Sequence, residues 1–91
     1  MAAFAADLAK LSTADRTAFE LAVAQFVADL RRGSGFRKGL RVKKLQGHTE
    51  IWELTWAPDG RATWQYGPER RPGEPHVICR RIGGHEIFKR P

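Results

Sequence analysis

Within the stretch from Gly39 to Tyr66, two runs place hydrophobic residues on every second position. Trp52, Leu54 and Trp56 alternate with Glu53 and Thr55, Pro58-Asp59-Gly60 interrupts, and Ala62, Trp64 and Tyr66 then alternate with Arg61, Thr63 and Gln65. Period two is the side-chain repeat of a strand, so the pattern predicts a β-hairpin, with Asp-Gly supplying the positive backbone angle of a tight reversal. The bulky aromatic face turns to the core. Glu53, Thr55, Arg61, Thr63 and Gln65 point the other way, on a polar platform open to solvent.

The repeat before this stretch is helical. Phe4, Leu8 and Leu11 are spaced four then three apart, which predicts a short helix over Ala2 to Leu11. Ser12 or Thr13 is placed to cap a second helix that runs to Arg32 and stops at Gly33, roughly 20 residues or about 30 Å. Phe19, Ala22, Val23, Phe26 and Leu30 form its sheet-facing stripe. Ala14, Leu21 and Ala28 form a second apolar line, where the first helix is expected to pack as an αα-hairpin unless part of the line is left for a partner protein.

After Gly33-Ser34-Gly35, a strand is predicted around Leu40 to Gln46, broken by a bulge or its own end at Lys44-Leu45. The run GPERRPGEP, Gly67 to Pro75, reads as an exposed loop because its prolines do not suit a strand interior. His76 to Ile82 reads as the last strand, and Gly83-Gly84 turns the chain back through His85 to Phe88. The expected architecture is a single α+β domain over residues 1–91, with a helical hairpin on one face of a four-stranded, mostly antiparallel sheet whose other face stays wet.

Charge refines this picture. The formal net charge is +6, but Met1 to Leu30 sums to −2 and the remainder to +8, so a basic sheet half is joined to a mildly acidic helical half. That asymmetry points to an anionic partner, nucleic acid first, with general solubility as the plainer account. Cys79 is the only cysteine, which excludes an intramolecular disulfide and a cysteine metal cluster; its strand setting suggests a buried thiol. No stretch reaches membrane-spanning length, and MAAFAADLAK carries Asp7 and no basic leader, so a cytoplasmic location is expected. No motif calls for a metal or a small-molecule cofactor.

Metal-free cleavage of RNA needs a base for the 2′-hydroxyl proton, an acid for the departing 5′-oxygen and cations on the crowded phosphate. Glu53 and His85 are the proton-transfer candidates, and Arg61 shares a sheet face with Glu53 on the neighbouring strand. The plainer accounts are a cross-strand or turn ion pair for Arg61, a solvated charge for Glu53 and a structural histidine for His85. Arg80 and Arg81 are adjacent in a strand, so only one is expected to reach the platform; parity favours Arg81 without excluding Arg80. Arg41, Lys43 and Lys44 form a basic edge, for RNA or against aggregation, and Lys89 adds a further candidate RNA contact. His48 and His76, at turn edges without ligand-spaced partners, read as surface residues or RNA contacts. Trp52, Trp56, Trp64 and Tyr66 are core by parity, with base stacking as the alternative.

The order of a helical hairpin, LRVKKLQG, IWEL, DGRA and a terminal strand ending RRIGGHEIF resembles the RelE/ParE toxin superfamily, in particular RelE-like toxins of type II toxin–antitoxin pairs, over nearly the whole chain. The resemblance implies a small α+β toxin that cleaves messenger RNA on the ribosome and is neutralised by a cognate antitoxin protein. The ParE branch has a similar fold and instead poisons DNA gyrase, which is the non-enzymatic alternative. Arg61 matches the family's catalytic arginine position. The family often carries a histidine or tyrosine near the C-terminus; with Phe88 lacking a hydroxyl, that role passes to His85. Several members have lysine where this chain has Glu53. Residues and resemblance together give a candidate set of Glu53, Arg61, His85 and Arg81 for catalysis, with Lys43, Lys44, Arg41, Arg80 and Lys89 on RNA.

Overall fold

The computed structural model describes residues 2–91. Helix α1 spans Ala2–Lys10 and α2 spans Thr13–Arg32. Ser12 separates them as an N-cap in extended backbone, its hydroxyl accepting from the Asp15 N–H at 3.1 Å. Gly33 ends α2 in the left-handed conformation (φ 75°) and donates its N–H to the Asp29 carbonyl.

Four strands follow, β1 Lys43–Lys44, β2 Trp52–Thr55, β3 Arg61–Arg71 and β4 Glu74–Gly83, paired antiparallel in chain order. The architecture is α+β, two N-terminal helices packed on a four-stranded antiparallel sheet. Phe19, Ala22 and Phe26 of α2 meet Leu54, Ala62, Trp64 and Ile82 of the sheet, with Leu40 at the margin. The expected stripe is thus the buried one. The β2–β3 hairpin holds the expected parity, with Trp52 opposite Trp64 and Glu53 opposite Thr63. Trp64 is buried, Trp52 and Trp56 are half-buried beside the core, and Tyr66 at 44% is exposed. No described helix is long and apolar enough to cross a membrane.

Six local expectations are corrected. The strand predicted over Leu40 to Gln46 shrinks to Lys43–Lys44, because Lys38–Leu40 form a 3-10 turn and Arg41 is left-handed at φ 48°. The loop predicted over Gly67–Pro75 is a continuous hairpin turned by Pro72-Gly73, with Gly73 at φ 80°, the proline-then-glycine order of a type II turn. Pro68 is tolerated within β3 because β2 pairs no further than Trp64, leaving that side of β3 without a neighbour, and the register with β4 is irregular there. Gly60 does not have positive φ; its need is space, since a Cβ there would lie 2.5 Å from the Trp56 indole.

The fourth correction concerns α1, which packs against β4 and not along the Ala14, Leu21 and Ala28 line, where Leu21 is 61% exposed. Asp7 accepts from the Ile82 N–H at 3.0 Å and from Arg81, so α1 seals the outer edge of β4 with a carboxylate. Fifth, the polar sheet face is not wholly wet. The 3-10 segment His85–Lys89 and the residues after it fold over it, Thr63 is fully buried, and the Thr63 hydroxyl donates to the Pro91 carbonyl at 3.1 Å. Cys79, expected to be buried, is exposed.

Candidate functional site

What the C-terminal segment leaves open on the polar face is a cleft of about 570 Å³, lined by Lys43, Lys44, Gln46, His48, Glu53, Arg61, His85 and Phe88 with Leu45. Three elements converge on it. The β1 end supplies the lysines, the β2–β3 hairpin supplies Glu53 and Arg61 on one face, and the turn after β4 supplies His85 and Phe88. Cross-strand parity is the local reason that Glu53 and Arg61 meet here, since residues two apart on paired strands share a face.

Each polar group has a distinct state. Glu53 is 7% exposed, yet its nearest cation is the Lys43 ammonium at 3.9 Å, a loose pair whose lysine is largely in solvent. Arg61 does not pair with Glu53 or Asp59 by salt bridge. Its Nη1 donates to the carbonyls of Ala57 (3.2 Å), Pro58 (3.3 Å) and Gly60 (2.9 Å), closing the hairpin turn. Among the described residues its Nε and Nη2 make no hydrogen bond, so one edge of the guanidinium stays free for an anion while the other is anchored. The Arg61 carbonyl also accepts from the Trp56 indole N–H at 2.9 Å, fixing the backbone beneath it.

His85 places Nδ1 2.6 Å from Asp59 Oδ1, and its ring stands edge-on to Phe88 with centroids 5.8 Å apart. Lys44 Nζ lies 5.5 Å from the Trp52 ring centroid, and Lys43 pairs in register with Glu53. Lys43, Lys44 and Arg61 against Glu53 leave the lining net positive before either histidine is protonated. Such a lining can draw in a phosphate, hold it on an arginine and offer it two groups that exchange protons.

The other expected site residues lie elsewhere. Arg81 belongs to a structural pair: Nε and Nη2 donate to the Asp7 carboxylate at 2.5 and 3.1 Å, and Nη1 donates to the Arg90 carbonyl. Burial pushes the Asp7 carboxyl up, but the bonds from Arg81 and Ile82 outweigh it and hold Asp7 below its ordinary value. Arg80 reaches the Pro91 carbonyl at 3.0 Å and also bonds Gln65. The expectation that only one of this pair faces the platform is overturned by an irregularity opposite Thr63/Trp64: Thr63 pairs with Arg81 and Trp64 with Cys79, so Arg80 is the extra residue of a bulge and both arginines turn to the polar side. Both are spent on the C-terminal segment and α1. Arg41 lines a separate groove with Phe36, Arg37, Lys38 and Val42, and Lys89 is exposed outside the cleft lining.

One contributor escaped the sequence: Asp59, 26 residues from His85, touches its ring only because the β2–β3 turn and the post-β4 turn meet. His48, read from the sequence as a surface residue or RNA contact, lines the cleft. Asp59 carries no local signal toward His85 beyond being polar and in a turn. Comparison of the chain with family models, with curated proteins and with solved structures finds no match.

Proposed function

We propose that the chain is a RelE-like toxin of a type II toxin–antitoxin pair, a metal-independent endoribonuclease that cuts messenger RNA on the ribosome. The observation that supports it is the meeting of Glu53, Arg61, His85, Lys43 and Lys44 in one positive cleft on the polar sheet face. In the reaction, the 2′-oxygen attacks the adjacent phosphorus, the P–O5′ bond breaks, and the products end in a cyclic phosphate and a 5′-hydroxyl. Glu53 takes the 2′-proton, His85 gives one to the 5′-oxygen, and the free edge of Arg61 binds the phosphate as its charge grows. Lys43 and Lys44 guide the RNA strand by charge. Arg81 and Arg80 act indirectly, by holding the C-terminal segment that presents His85.

The partner in this reading is an acidic antitoxin segment that orders as it covers the basic surface. The test is induction in bacteria with mapping of transcript ends. Growth arrest with new transcript ends, and loss of both in Arg61→Ala, is the expected result. Arrest with intact transcripts overturns the nuclease reading, and DNA breaks in the same cells would favour gyrase as the target.

A further inference from the structure

The 2.6 Å contact between Asp59 Oδ1 and His85 Nδ1 joins two turns that the cleft otherwise only brings near. A carboxylate accepts and does not donate, so the nitrogen facing it must carry the proton. The contact is braced by the backbone. At Gly84 the chain runs so close to the turn that a Cβ there would lie 2.9 Å from Asp59 Oδ2, and the Gly84 N–H donates to Glu86 Oε1 at 3.0 Å. Among the described residues, His85 Nε2 makes no hydrogen bond. The charged or titratable groups that share the cleft lining with this ring are Glu53, Arg61, Lys43, Lys44 and His48, while Asp59 is the one hydrogen-bonded to it.

We infer that Asp59 is a positioning residue: it keeps the proton on His85 Nδ1 and so makes Nε2 the nitrogen that gives up and regains a proton in the cleft. The carboxylate-to-imidazole bond selects both tautomer and ring orientation, as second partners of a working histidine do. A neutral histidine in water favours the opposite tautomer, with the proton on Nε2, so the selection is measurable. The catalytic part of this inference rests on the endoribonuclease reading; the tautomer does not.

The test is the full chain labelled with ¹⁵N-histidine, compared with Asp59→Ala, a variant that removes the acceptor altogether. The wild-type neutral His85 ring is expected to give the ¹⁵N shifts of the Nδ1–H form, and Asp59→Ala to move them toward the Nε2–H form. Messenger RNA cleavage should fall about tenfold to a hundredfold in the variant. Identical His85 ring shifts in the two proteins would overturn the inference, whatever the cleavage assay gives. A tautomer change in a chain that cuts no RNA would uphold the positioning and overturn the nuclease reading instead.

Discussion

Two carboxylates in this chain are nearly equally hidden and do opposite things. Asp29, 1% exposed on α2, receives four hydrogen bonds: from the Arg37 backbone N–H (2.8 Å), Arg37 Nε and Nη2 (both 2.9 Å) and Arg32 Nη2 (3.0 Å). Glu53, 7% exposed on β2, has one lysine at 3.9 Å. The first is saturated and ties the end of α2 to the chain beyond Gly35. The second keeps its lone pairs unspent and faces a positive cleft. A buried charge needs partners to be tolerated, so full pairing marks a structural role, and a hidden carboxylate left under-paired is a candidate for chemistry.

The largest effect that would break this contrast is at Asp29. Asp29→Ala strands the Arg37 backbone N–H and two guanidinium groups, and should lower Tm by about 10 °C or more, read by thermal unfolding. The same pair sets an acid limit. The hydrogen bonds from the Arg37 side chain and backbone hold the Asp29 carboxyl far below its ordinary value. A carboxyl lowered by folding stabilises above its unfolded value of about 4, and that stability is lost as pH falls below it, so denaturation midpoints should drop from about pH 4 downward. Asp29→Asn should flatten that slope.

Next in size is Arg61. On the proposed nuclease reading, Arg61→Ala should cut transcript cleavage about tenfold to a thousandfold, while the loss of its carbonyl bonds in the turn costs only about 1 kcal/mol in urea unfolding. Glu53→Gln sharpens the comparison directly. Cleavage should fall, yet stability should stay within about 1 kcal/mol of the parent, because the only ion pair removed is the loose one with Lys43. A large stability loss there would make Glu53 a second Asp29. The smallest effect belongs to Lys43→Ala and Lys44→Ala, each of which should reduce the salt slope of RNA binding by about 0.7 in filter or fluorescence titrations.

Much of the fold was legible because it depends on short-range repeats. The α2 stripe, the Ser12 cap, the Gly33 stop and the β2–β3 parity all follow from periods of 3.6 and 2 within a few residues. The β3–β4 hairpin was missed although Pro72-Gly73 is a turn signal, because the weight of prolines hid the strand on either side. The polar cleft was legible in part for the same reason: Glu53 and Arg61 are placed by hairpin parity. Arg80 and Arg81 were not, because a single bulge residue reverses what alternation implies.

The amino-acid order alone determined which residues alternate, where helices begin and end, and that the sheet half is basic. Tertiary structure decided which charges are neutralised. Asp7 meets Arg81 across 74 positions, Asp59 meets His85 across 26 and Pro91 meets Thr63 across 28. No local period encodes such meetings. They arise when burial of the aromatic face brings distant turns and edges together, and the hydrogen bonds left unmade there, on Glu53, Arg61 and His85, are what make one part of the surface a candidate site.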